Sequence, residues 1–148
     1  MASTNPRTTA VWLNSQFNDV IPLGLKSGAT VYPGCIVCTD STGYAVNAAT
    51  ATGLKAWGIL KSQASAGTPI TNAGASGAIT IEVVQGVFGF DNSGGDPVTF
   101  ANIGTLVYIV DNCTIAATSN SSARSVAGEM VGLDANGQVY VRLGEAVA

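Results

Sequence analysis

The side chains best equipped for chemistry are few. Cys35 and Cys38 form a C-x-x-C, the spacing of a redox pair or of half a zinc site. They sit in Gly34-Cys35-Ile36-Val37-Cys38-Thr39, which reads as a strand. An offset of three along a strand turns the two side chains to opposite faces with Cα atoms about 10 Å apart. A disulfide needs less than about 7 Å. The chain has no second C-x-x-C and no histidine, so a zinc site lacks ligands. All three cysteines, Cys113 included, are expected to be free thiols buried as small apolar groups.

Without histidine, Ser-His-Asp and Cys-His nucleophile systems are excluded. A Ser–Lys pair would have to use Lys55 or Lys61, but there is no S-x-x-K, and both lysines read as solvated strand-edge groups. Glycoside hydrolysis needs two acids about 5–9.5 Å apart across a cleft. Glu82 and Glu129 carry no pattern that brings them together, and most aspartates lie in turns, where they satisfy local backbone. Asp91-Asn92-Ser93-Gly94-Gly95-Asp96 offers oxygen ligands but lacks the spacing and the closing glutamate of a calcium loop, and reads as a turn. Gly74-Ala75-Ser76-Gly77 lacks the lysine of a phosphate loop. No catalytic, cofactor-binding or metal-ligating residue is expected, and the chain is expected not to be an enzyme.

The elements that carry these residues read as short strands at roughly ten-residue spacing, the pattern of a small β-barrel or β-sandwich. Strands are expected over residues 29–32, 35–39, 44–46, 54–61, 79–83, 86–90, 106–110, 113–116, 126–133 and 138–143. Ile79-Thr80-Ile81-Glu82-Val83 alternates, which buries one face and turns Glu82 outward. The glycines of Gly86-Val87-Phe88-Gly89-Phe90 imply a bulge or a close backbone approach. Asp134-Ala135-Asn136-Gly137 is the strongest hairpin signal in the chain. Residues 63–77 read as a long flexible loop, and residues 98–104 as a short helical turn.

Residues 1–21 are polar and turn-rich yet hold Val11-Trp12-Leu13, Phe17 and Val20-Ile21. Large apolar groups in such a leader suggest an extended N-terminal arm that docks on a partner through Trp12 and Phe17, or a first strand that closes the domain's own barrel. Residues 22–148 form the one all-β domain.

Composition narrows the partners. Charged residues make up 10% of the 148 residues, against about 25% in a typical globular domain. A surface of Ser, Thr, Asn, Gln and backbone is easily covered by another protein, because few charges need burying. The six basic residues are scattered and the net charge is −3, so direct nucleic-acid binding is not expected. No apolar run approaches a membrane span. The N-terminus shows no signal-peptide core, so the chain is expected to begin near Met1 and to be made in a cytoplasm.

Several stretches, taken in order, resemble the bacteriophage head-decoration (capsid cement) proteins. They run from Leu25-Lys26-Ser27-Gly28-Ala29 through Gly43-Tyr44-Ala45-Val46 and Leu54-Lys55-Ala56-Trp57-Gly58-Ile59. Gly86-Val87-Phe88-Gly89-Phe90-Asp91-Asn92 and Ile103-Gly104-Thr105-Leu106-Val107-Tyr108-Ile109-Val110-Asp111 continue the match. Val126-Ala127-Gly128-Glu129-Met130-Val131-Gly132-Leu133 and Val139-Tyr140-Val141 complete it, so that it spans residues 22–143. The resemblance implies a virion protein that assembles as a homotrimer on the outer capsid surface. It would bind the major capsid protein and clamp the shell against packaged DNA, with no catalytic residues. The arm lies outside the resemblance. The competing reading is a carbohydrate- or receptor-binding module on a virion surface, which would need Trp12, Trp57 and Tyr140 exposed on one face.

Overall fold

The computed structural model describes residues 20–61 and 68–143. Period-two patterning sets most of its strands. In Thr80–Val84 (β7), Ile81 and Val83 are buried while Glu82 between them is exposed. This β7 is the second strand of a five-stranded sheet. Its neighbours are Val20–Gly24 (β1) on one flank and Lys55–Leu60 (β5) on the other, followed by Ile36–Thr39 (β3) and Ala45–Asn47 (β4). Every pairing in the sheet is antiparallel. Just past β1, Leu25 bridges to Ala45 and the Lys26 amide donates to the Ala45 carbonyl at 3.0 Å, so the sheet curls back on itself.

The second half is a closed five-stranded barrel. Its order is Thr114–Ala116 (β10), Gly86–Asn92 (β8), Val139–Leu143 (β12), Val126–Leu133 (β11) and Leu106–Ile109 (β9). A barrel leaves no sheet edge where its ladder is complete. The hairpin joining β11 to β12 forms where the Asn-Gly signal places it. Asp134 Oδ1 accepts from the Asn136 and Gln138 amides, each at 2.9 Å, and Gly137 takes φ +85°. The expected helical turn is also present, as a 3₁₀ turn over Phe100–Asn102 capped by Thr99.

Two apolar clusters fill the molecule. Leu25, Val31, Val37, Leu60, Ile81 and Val83 form the core of the curled sheet. Phe90, Val107, Ile109, Ile115, Met130, Val139 and Val141 form that of the barrel. Both faces of β3 are buried because it lies between them: Val37 points into the first, Ile36 and Cys38 into the second. Strands β7 and β8, separated by Gln85 alone, make a similar hand-over: Ile81 and Val83 face the first core, while Phe88 and Phe90 face the barrel.

Two glycines make room for tight crossings at irregular register. The β9–β11 register shifts between Val126 and Gly128, and the β3–β5 register shifts at Val37 and Cys38, opposite Gly58. A Cβ at Gly128 would lie 2.1 Å from the Arg142 carbonyl oxygen, and one at Gly58 would lie 2.2 Å from that of Val84.

The all-β expectation holds, and three details of the sequence reading are corrected. Val20 and Ile21 belong to the sheet, not to an arm, because they pair with Val84 and Val83. The segment read as a long flexible loop contains Ile70–Thr71 (β6), which pairs with Thr30–Val31 (β2), and then Asn72, which is fully buried. Of the three thiols read as buried, Cys38 alone is so; Cys35 is half-buried and Cys113 exposed.

Candidate docking surface

The groups with chemical potential are placed apart and tied into the scaffold. Lys26 pairs with Asp40, Lys61 with Glu82 at 3.1 Å, Arg124 with Asp96 at 2.8 Å and Arg142 with Glu129 at 2.7 Å. In the acidic turn, Asn92 accepts from the Val98 amide at 2.7 Å and donates to the Val98 carbonyl at 2.9 Å. Asp96 accepts from Thr118 Oγ1 at 2.6 Å as well as from Arg124. Asp96 Oδ2 thus braces the loop that carries Thr118 and Arg124. Hydrogen bonds from Lys26 and Thr42 hold the Asp40 carboxyl down at about 2. Among the described residues no group of three Cys, Asp or Glu side chains is arranged to hold a metal ion.

The thiols follow their burial. Cys38 is pushed up to about 12 by desolvation. Cys35 is raised by burial and then by the charge of Asp111, and Cys113 is raised by burial first. Because the Cys38 thiol is harder to ionise folded than unfolded, it supports the native state below pH 9. That support is lost as pH rises from 9 toward 12. Urea titrations from pH 8 to 11 are expected to show stability falling over this window, and Cys38→Ala is expected to flatten the fall. Equal slopes in the two proteins would show that the thiol does not titrate there. In the native protein an aromatic disulfide reagent is expected to label Cys113 first and Cys38 only after unfolding.

What the fold does assemble is an outer face of the barrel that carries exposed apolar side chains. Leu106 pairs with Glu129, Glu129 with Arg142 and Arg142 with Val87, so these four side chains form one row across β9, β11, β12 and β8. The inward neighbours Val107, Met130 and Val141 are fully buried, which turns the row to solvent. At the Leu106 end the 3₁₀ turn adds Phe100 and Ile103. It is held to β11 by the Gly104 amide on the Met130 carbonyl and the Met130 amide on the Thr105 carbonyl, both at 2.9 Å. Phe100 is 65% exposed, Ile103 51%, Val87 47% and Leu106 39%. One ion pair, Arg142–Glu129, lies among these apolar groups.

Sequence reasoning missed this surface because it assigns large apolar residues to the core. Its signal is the three-residue spacing of Phe100, Ile103 and Leu106 around a turn with no buried residue of its own. Trp12 and Phe17 lie outside the described residues. Of the aromatics that a sugar platform would use, Trp57 packs on the first core and donates to Thr39 Oγ1 at 2.7 Å. Tyr140 lies over Gly89 and donates to Asp134 Oδ2 at 3.0 Å. No helix among the described residues is long and apolar enough to cross a membrane. No protein family matches the chain, and neither a curated protein nor a solved structure matches it.

Proposed function

We propose that this protein is a non-enzymatic structural component of a phage virion, a decoration or cement protein that binds the outer capsid surface and stabilises the shell. The observation that carries the reading is the exposed set Phe100, Ile103 and Leu106 on a chain with 10% charged residues. Isolated exposed apolar side chains are ordinary; three of them within seven residues on a charge-poor surface favour a protein contact. The order of stretches that resembles capsid cement proteins supplies the kind of partner: the major capsid protein, with sister copies in a trimer. Such a subunit works by mass action, since binding several shell proteins at once stabilises the arrangement that holds them all. Trp12, in the segment before β1, is an additional partner contact in this reading.

The test adds purified protein to expanded heads that lack it, then follows binding and the temperature of DNA release. Binding with a raised release temperature is expected, and little loss of binding at high salt, because few charges are available to screen. Phe100→Asp with Ile103→Asp is expected to weaken binding by about tenfold or more without lowering the melting temperature of the free protein. Failure of the unmodified protein to bind would remove the proposal. Undiminished binding by the double variant would remove the assigned surface.

A further inference from the structure

Two of the three free thiols flank a single backbone hydrogen bond. The Ile36 amide donates to the Asn112 carbonyl at 2.9 Å. Its nitrogen belongs to the Cys35–Ile36 peptide and its acceptor to the Asn112–Cys113 peptide. In a trans peptide the N–H lies on the side of the preceding Cα, and the C=O on the side of the following one. The Cα atoms of Cys35 and Cys113 are therefore the two that stand beside this bond. Standard covalent lengths hold them roughly 4–6.5 Å apart, whatever the rotation about the bond. A disulfide takes Cα separations of about 4.4–6.8 Å.

Both residues are held in place through their own backbones. Cys35 donates its amide to the Tyr32 carbonyl and accepts from the Leu60 amide, each at 3.1 Å. Cys113 donates to Asp111 Oδ1 at 2.9 Å, and its carbonyl accepts from the Asp91 amide at 2.8 Å. The turn before Cys113 is tied to the segment that follows β3. Thr50 Oγ1 donates to the Val110 carbonyl at 2.6 Å and Asn112 Nδ2 to Asn47 Oδ1 at 3.1 Å. The two side chains converge as well. Burial is the first cause that raises each thiol, and the Asp111 carboxylate raises both, which sets both sulfurs near one charge. Cys113 is exposed and Cys35 half-buried, so a small reagent can reach the pair, whereas Cys38 is fully buried.

We propose that Cys35 and Cys113 are an oxidisable pair that closes into an intrachain disulfide when the protein meets a small-molecule disulfide. The exposed Cys113 reacts first. Its thiolate, the proton lost to solvent, bonds to one sulfur of the reagent, and the other sulfur leaves as a thiolate. The Cys35 thiolate, formed in the same way, then attacks Cys113 Sγ and expels the second reagent thiolate. Two protein thiols are oxidised, and one reagent disulfide is reduced to two thiols. The new bond staples the chain entering β3, the strand shared by both cores, to the chain entering β10 of the barrel. The pair stands whether or not the protein decorates a capsid.

The test incubates the full chain, freed of reductant, with oxidised glutathione near the ordinary thiol pKa of about 8.5, then digests it without reduction. A Cys35–Cys113 linked peptide within one chain is expected, with titratable thiols falling from three to one. Cys38→Ala is expected to form the same link. The oxidised protein is expected to melt about 10 °C above the reduced one, and added reductant to reverse the rise. Cys35→Ser is expected to stop at a mixed disulfide of Cys113 with glutathione and to gain no such stability. In the unmodified protein, failure of the pair to oxidise, or glutathione retained on Cys113 while Cys35 stays free, would overturn the proposal. A link through Cys38, links solely between chains, or a melting temperature unchanged by oxidation would overturn it as well.

Discussion

Gly128→Ala is expected to cost about 3 kcal/mol or more, near the upper end of overpacking penalties. The new methyl would sit 2.1 Å from the carbonyl oxygen of Arg142 and 3.1 Å from Val141 Cγ1. The first of these is backbone near the end of β12, at a residue paired on both sides, so the ladder itself must shift. Gly58→Ala meets the Val84 carbonyl at 2.2 Å and the Val83 side chain at 2.8 Å, and is expected to behave alike. A loss of that size lowers the melting temperature of a domain this long by about 10 °C. Gly94→Ala is the control, since a Cβ there meets nothing within 4 Å. Thermal or urea unfolding of the three variants checks the ranking. A Gly128→Ala protein as stable as Gly94→Ala would mean that β11 and β12 separate far more easily than their pairing implies.

Asn72→Asp is expected to be the most damaging polar exchange, at about 3–5 kcal/mol, the cost of stranding a buried charge and its former partners. Asn72 is fully buried. Its Nδ2 donates to the Leu25 carbonyl at 2.8 Å and to the Ala75 carbonyl at 2.9 Å, and its Oδ1 accepts from the Gly74 amide at 2.9 Å. The exchange sets a carboxyl oxygen against two carbonyl oxygens. Burial disfavours the charged form, so the new group binds its proton more tightly folded than unfolded. The sign follows: the variant loses least below the ordinary carboxylate range and progressively more as pH rises through it. Urea unfolding at pH 4 and pH 7 measures both the loss and its direction. A loss that does not depend on pH would show that the side chain leaves the site.

Asn72 also marks where the sequence stops being readable. Strands with several alternating residues, such as Thr80–Val84 and Val139–Leu143, announce themselves, because a half-buried surface demands period two. The hairpin at Asp134 is equally legible, because its turn chemistry is local. A two-residue strand has no period. Ile70–Thr71 is fixed by pairing with Thr30–Val31 forty residues away, so its surroundings of Ala, Ser, Gly and Thr look like a loop. The cysteines were misjudged for a related reason. The strand containing Cys38 begins at Ile36, which leaves Cys35 in the connection before it, and β10 begins at Thr114, which leaves Cys113 in the bend before that strand. The candidate surface was hidden most deeply. Phe100 and Ile103 differ from core residues only in lying on a 3₁₀ turn that buries neither of them, and that is a property of packing, not of residue type.

The burial of β3 on both faces has a consequence for how the molecule comes apart. A strand whose Val37 completes one core and whose Ile36 and Cys38 complete the other cannot be released from either without opening both. The curled sheet and the barrel are consecutive in the chain, joined at Gln85, and look separable on a topology diagram. They are nonetheless expected to unfold as one cooperative unit. Neither half is expected to keep a sealed interior when the other melts, so heat or denaturant should populate no half-folded species. Cleaving the chain at Gln85 would divide the sequence into two pieces without yielding two domains.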